Sequence, residues 1–223
     1  RVQVASNGMN RFPHADGADH HEAGVAVDDD GNLYYTWVAH DRLPYLAVSR
    51  NGGATWSTPL MIGHPGVKEA NLPALAIGSK GRIAVAYVGS ENSPGVPFAE
   101  DQYADVTWNG YITMTTDALA ADPVFYSAPV NDPADPIAKG VCTHRCRAIG
   151  DFIDVQIGPD GVPWTALVDT CAAGVCDRYT GSFDGSEGGG LGAALTGRLS
   201  GGPSLVASDD ARRGIPPLAP GSG

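Results

Sequence analysis

The sequence predicts an all-β protein built from repeated four-stranded antiparallel units. Two observations carry this. Gly (30) and Pro (17) are abundant among the 223 residues while charged residues make up only 17%, a composition suited to many short strands joined by tight turns. In addition, three segments superpose when Gly31, Gly81 and Gly161 are aligned: EAGVAVDDDGNLYYTWVA, LPALAIGSKGRIAVAYVG and FIDVQIGPDGVPWTALVD. Each has an apolar run, a tight turn ending in Gly, and a second apolar run, which is the pattern of a β-hairpin.

Each hairpin is followed by material for two more strands. In the first unit these are Tyr45–Ser49 and Trp56–Ile62, in the second Trp108–Thr115 and Val124–Val130, and in the third Leu191–Leu199 and Ser204–Ala207. Four-stranded units repeating in this way read as the blades of a β-propeller, because one blade alone leaves both of its faces uncovered. The expected layout is an orphan outer strand at 1–5, blades at 20–62, 70–130 and 150–207, and a flexible tail at 208–223. Propellers close with about four to eight blades. Three blades are therefore expected to be half of a ring of about six and to present apolar flanks. The other half would come from another chain, a cleaved precursor or self-association. The chain opens at Arg1 without Met, which reads as a processed end.

Between the third and fourth strands of the first unit lies Ser49–Trp56, SRNGGATW. Ser49, Asn51, Gly53, Thr55 and Trp56 follow the order Ser-x-Asp-x-Gly-x-Thr-Trp, with Asn51 in the Asp position. The Asx, Ser and Thr side chains suit hydrogen bonds to the turn backbone, and Gly52 and Gly53 permit positive φ. On this motif and the flanking strands, the chain resembles the Asp-box, or bacterial neuraminidase repeat, family of sialidase-like β-propellers. The resemblance implies that the box folds the blade and that its turn lies away from the ligand-binding face.

The same resemblance directs attention to the starts of the inner strands. His21, Asn71 and Asp151 align there, ten residues before the reference Gly. Asp19, His20, Glu22, Lys68, Glu69, Arg147 and Asp154 lie around them. Glu22, Asp151 and Arg147 are candidates for acid–base work on a sugar, and His21, Glu69, Asn71 and Asp154 for ligand binding. The dense run His14–Glu22 offers His14, Asp16, Asp19, His20, His21 and Glu22 to calcium or another divalent cation, although without a fixed ligand spacing. The family's sialidases require an arginine triad on a carboxylate, a tyrosine nucleophile assisted by Glu, and an Asp acid/base. No arginine stands at a matching inner-strand start, so no catalytic role is carried over. The expected function is a glycan- or protein-binding extracellular module. A glycan-active enzyme and a structural subunit of an extracellular assembly are the alternatives.

Cys142, Cys146, Cys171 and Cys176 form two close pairs. In an exported protein such a set reads as disulfides with three pairings open. A metal site at Cys142, His144 and Cys146, or free thiols, are the rival readings. The formal net charge of −11 disfavours a polyanion such as nucleic acid. No stretch approaches the roughly 18 apolar residues of a membrane helix. A secreted or cell-surface protein is the expectation.

Overall fold

A computed structural model describes residues 23–95, 105–140, 153–171 and 193–213. Within them the chain forms three successive antiparallel sheets. Sheet 1 runs β1 (Gly24–Val27), β2 (Leu33–Val38), β3 (Pro44–Ser49), β4 (Leu60–Met61). Sheet 2 runs β5 (Glu69–Ile77), β6 (Ile83–Ser90), β7 (Thr107–Thr115), β8 (Tyr126–Pro129), with β9 (Ala138–Lys139) pairing on β7. Sheet 3 runs β10 (Asp154–Ile157), β11 (Pro163–Asp169), β12 (Ala193–Arg198). The first strands of the sheets are neighbours, β1 against β5 and β5 against β10.

The three first hairpins share one turn. The N–H of Asp28, Gly78 and Gly158 donates to the carbonyl of Asn32, Arg82 and Val162 at 3.0, 2.9 and 2.9 Å. Gly31, Gly81 and Gly161 sit at φ 82°, 73° and 71°, where a side chain is disfavoured. The repeat seen in the sequence is thus a repeat of backbone geometry.

Sheet 2 is the middle layer. On one face, Ile83, Val85, Tyr87 and Tyr111 pack against Tyr34, Leu46 and Val48 of sheet 1. On the other, Ala84, Ala86, Ile112 and Met114 pack against Val155 with Leu199 and Leu205, while Val88 and Trp108 gather around Leu167. With both faces covered, β6 is buried along its whole length and β7 nearly so. This explains the near-continuous apolar sequence of β6. A second link joins sheets 1 and 2. Tyr34 donates its hydroxyl proton to Asp28 Oδ2 (2.8 Å) and accepts from the Gly81 N–H (3.0 Å).

Several expectations are corrected. The fourth strand of the third unit, expected at Ser204–Ala207, does not form there, and among the described residues sheet 3 has three strands. Leu205 instead crosses to sheet 2, where its carbonyl accepts from the Ser79 N–H (2.9 Å), its N–H donates to the Gly161 carbonyl (2.8 Å) and its side chain is buried. This crossing depends on Gly78, since a Cβ there would collide with the Leu205 carbonyl. The tail expected at 208–223 opens with helix α1 (Ser208–Arg213). The Asp210 carboxylate receives both terminal nitrogens of Arg82 at 3.0 and 2.5 Å, a bidentate geometry stronger than a simple ion pair. The fourth strand of the first unit shrinks to Leu60–Met61.

Candidate functional site

The Ser49–Trp56 turn is built by its own side chains. Ser49 Oγ accepts from the Gly53 N–H (2.9 Å), and Asn51 Oδ1 accepts from the Ser49 hydroxyl (3.0 Å) and the Thr55 N–H (2.9 Å). Asn51 Nδ2 donates to Thr55 Oγ1 (2.9 Å), where an Asp would instead accept from the Thr55 hydroxyl. Gly52 and Gly53 have φ of 66° and 84°. Trp56 meets Tyr35 edge-on, with ring centroids 6.2 Å apart. The hydrogen-bonding side chains Ser49, Asn51 and Thr55 are therefore occupied in holding the chain's own shape, while the buried Trp56 Nε1 has no hydrogen-bond partner.

The opposite ends of sheets 1 and 2 carry a different set of groups. Arg42, in the β2–β3 turn, extends its guanidinium to Glu69 Oε1 at the start of β5 (2.5 Å). Glu69 is fully buried, and its other oxygen accepts the Ser93 hydroxyl from beyond β6. The Ala70 N–H donates to the Arg42 carbonyl (2.8 Å), so main chain and side chain join the sheets together. A buried carboxylate needs such partners, because desolvation of an uncompensated charge costs several kcal/mol, about 3–5 when one partner of a buried pair is lost. Arg42 holds φ 63°, and Leu72, in the irregular stretch of β5 between Asn71 and Ala74, holds φ 55°. Two left-handed non-glycine residues beside one cluster mark a stretch held by its surroundings.

Asn71 lies two residues after Glu69 on the same strand and is buried, and its Nδ2 has no hydrogen-bond partner. The exposed rim of this end is polar. Lys68 is exposed, and Asn92 Nδ2 donates to the Asp105 carbonyl (2.9 Å) while Lys139 faces Asp105 (3.3 Å).

Of the residues proposed for ligand binding, Glu69 and Asn71 meet at this end. Asp154 stands apart. Its neighbour Val155 packs inward against sheet 2, so Asp154 projects from the outward face of sheet 3, where it accepts from Gln156 Nε2 (3.0 Å). Asp19, His20, His21, Glu22, Arg147 and Asp151, with His14 and Asp16, lie outside the described residues. So do Cys142, Cys146 and Cys176, while Cys171 is buried and disulfide-bonded. Among the described residues no group of three or more His, Cys, Asp or Glu is arranged to hold a metal ion. No helix among them is long and apolar enough to cross a membrane.

Sequence reasoning missed Arg42 and Ser93. Both lie in loops, beyond the reach of strand periodicity. The pairing of β5 with β6, which sets Glu69 opposite Ser90, brings Ser93 to Glu69, and the junction of sheets 1 and 2, where the Ala70 N–H bonds the Arg42 carbonyl, brings Arg42. A third group also escaped it. Tyr111 donates to Glu91 Oε1 (3.0 Å), His64 stacks on Tyr111 at 5.3 Å, and the His64 N–H donates to the Tyr87 hydroxyl (2.7 Å). Burial, then the hydrogen bond to Glu91, raises the Tyr111 pKa. Tyr111 is thus a neutral donor at physiological pH rather than a ready phenolate. The arginines Arg42, Arg50, Arg82 and Arg198 occupy four separate positions. They engage Glu69, the Leu119 carbonyl, Asp210 and Asp160 respectively.

No protein-family model matches the chain, and no curated protein matches it. Solved structures do. One is a protein of unknown function from Dyadobacter fermentans, at TM-score 0.42 and 16% identity, covering 79% of this chain and 50% of that one. A polysaccharide lyase of family PL25, an ulvan lyase, gives TM-score 0.42 and 13% identity, covering 80% and 41%. The intramolecular trans-sialidase from Ruminococcus gnavus gives 0.35 and 16%, covering 70% and 30%. The chain thus spans half or less of the length of each.

Proposed function

We propose that this chain supplies blades of a sialidase-like β-propeller that acts as an extracellular binding module for a glycan or protein. Sheets 1, 2 and 3 would be its blades, and further propeller from another chain or the rest of a precursor would complete it. Its ligand would meet the end of the sheets opposite the Ser49–Trp56 turn. The observation behind this reading is the buried Arg42–Glu69–Ser93 cluster, beside an Asn71 amide that lacks a partner. A prearranged polar network at the mouth of a rigid β scaffold is where binding groups concentrate. A water or a ligand hydroxyl would satisfy Asn71 Nδ2. The exposed Lys68 and Asn92 would form the rim.

A glycan array probed with the whole chain tests this. Lys68→Ala and Asn92→Ala change exposed side chains, and because Asn92 also accepts from the Ser90 hydroxyl and the Thr107 N–H at 3.1 and 2.9 Å, thermal melting checks that the second variant is folded. Each is expected to weaken binding about fivefold, or about 1 kcal/mol. Unchanged affinity in both variants would move the ligand elsewhere.

The enzyme alternative draws on the Tyr111–Glu91–His64 group, where a phenol, a carboxylate and an imidazole meet. It predicts glycan cleavage that Glu91→Gln abolishes. Binding without cleavage favours the module.

A further inference from the structure

The outward face of sheet 3 has an organisation unlike that of a surface awaiting another sheet. Gln156, Trp164 and Arg198 are paired across the three strands, and Asp154, Ala166 and Thr196 form the next row. Residues paired in this way share a face, and these six are exposed. Trp164 is 40% exposed, and among the large exposed hydrophobic residues it alone lies here. The indole is seated rather than loose. Its Nε1 and Cδ1 lie 3.2 and 3.3 Å from where a Cβ would stand on Gly158, so a side chain there would press on the ring and make it give by a few tenths of an ångström. The Arg198 guanidinium covers the ring at 5.1 Å and stands 3.8 Å from Asp160, both charged groups about half exposed. Contacts of this kind in water are weak and easily exchanged. Beside the indole, Ala166 and Thr196 make a low floor, flanked by the Gln156 amide, which bonds Asp154 at 3.0 Å.

We infer that this face binds a neutral saccharide, with a pyranose ring stacked on Trp164. A sugar ring presents polarised C–H groups on its flat side and hydroxyls around its edge. The first suit the negative face of an indole. The second suit the amide, carboxylate and guanidinium that ring Trp164, which between them donate and accept. The ring takes the place of the Arg198 guanidinium over the indole, and the displaced guanidinium donates to a hydroxyl. A protein partner fits less well, since interface cores gather several apolar side chains and this face has one large one. An acidic glycan also fits less well, because Asp154 and Asp160 stand around the single Arg198 and the chain's net charge is −11. The site lies on another face from the Arg42–Glu69 end; it is open only where the further propeller of that proposal packs on sheet 1, so saccharide binding here and a blade packed over sheet 3 exclude each other.

The test is titration of the whole chain with linear hexasaccharides of β-1,4-glucose, β-1,4-xylose and β-1,4-mannose, and with hexagalacturonate. Binding is followed by tryptophan fluorescence and by amide shifts in β10–β12. At least one neutral hexasaccharide is expected to bind and to shift Gln156, Trp164 and Arg198. Trp164→Ala is expected to weaken it about tenfold or more, and Trp164→Phe by less. Gly158→Ala, which presses on the ring while keeping it, is expected to weaken binding by less than Trp164→Ala. Thermal melting confirms that each variant is folded. Asp122→Ala, an exposed position outside both sites, leaves this binding unchanged, and the amide shifts in β10–β12 separate the result from the fate of the other proposal. The inference is overturned if no neutral hexasaccharide shifts these amides, if Trp164→Ala binds like the parent, if only hexagalacturonate binds, or if a protein partner protects this face instead.

Discussion

The two outward faces of the three-sheet stack are opposites. On sheet 1, the face turned from sheet 2 is a layer of aromatic and aliphatic groups. Tyr35 stacks on Trp37 at 5.2 Å, Trp37 on Tyr45 at 5.9 Å, and Val25, Val27 and Met61 stand exposed around them. On sheet 3, the corresponding face carries Asp154, Gln156, Thr196 and Arg198 around one indole. The same strand arrangement therefore ends in an apolar layer on one side, with Trp37, Tyr45 and Ala47 buried in it, and a hydrated face on the other. Expecting apolar flanks on both sides was wrong for sheet 3. The reason lies in its alternation: Val155, Thr165 and Leu167 are used against sheet 2, which leaves the polar residues between them facing water.

The largest effect that would break this comparison comes from deleting one tryptophan on each face. Trp37 is fully buried, and Trp37→Ala is expected to cost about 3–5 kcal/mol of stability. Trp164→Ala, on the solvated face, is expected to stay within about 0.5 kcal/mol. Urea unfolding of the two variants measures both, and equal losses would erase the distinction.

A smaller effect separates the hairpin turns of the same two sheets. Asp28 of sheet 1 has Gly158 as its counterpart in sheet 3. Burial raises the Asp28 pKa, but hydrogen bonds from Asn32, Tyr34 and the backbone N–H groups of Asn32 and Asp30 outweigh it, so the net shift is downward from 3.8. A depressed carboxyl pKa contributes stability above the unfolded value and loses it as pH falls through the folded one. Stability is thus expected to decline as pH drops below 3.8. Asp28→Asn is expected to flatten that decline and to cost about 1.5–3 kcal/mol at neutral pH. Chemical denaturation repeated between neutral pH and strong acid reads both.

The smallest effect concerns Val25 and Val27. Changing both to Lys is expected to alter stability by about 0.5 kcal/mol or less, while reducing self-association seen by light scattering at high concentration. Association that persists would place the sticky surface elsewhere.

Much of the fold was legible because it depends on local chemistry. The three glycines of the aligned hairpins marked three equal turns, and Ser49, Asn51, Gly53 and Thr55 announced a turn that closes on itself. Glu69 and Asn71 were legible as a pair for the same reason, since both sit at the start of one strand. Arg42 and Ser93 were not, because their meeting with Glu69 joins residues 27 and 24 positions away in the chain.

What the sequence by itself determined is the unit: a hairpin with a glycine-closed turn, two further strands, and an Asp-box-like turn in the first copy. What only the tertiary structure decided is where the units stop and how they join. Ser204–Ala207 has the composition of a strand, yet it leaves the sheet because Gly78 admits the Leu205 backbone and Arg82 captures Asp210. Those partners lie more than a hundred residues upstream, and strand propensity within a short window does not register them. The Asp154 side chain likewise takes its surroundings from the packing of sheet 3 on sheet 2, which sends Val155 inward and leaves Asp154 in water.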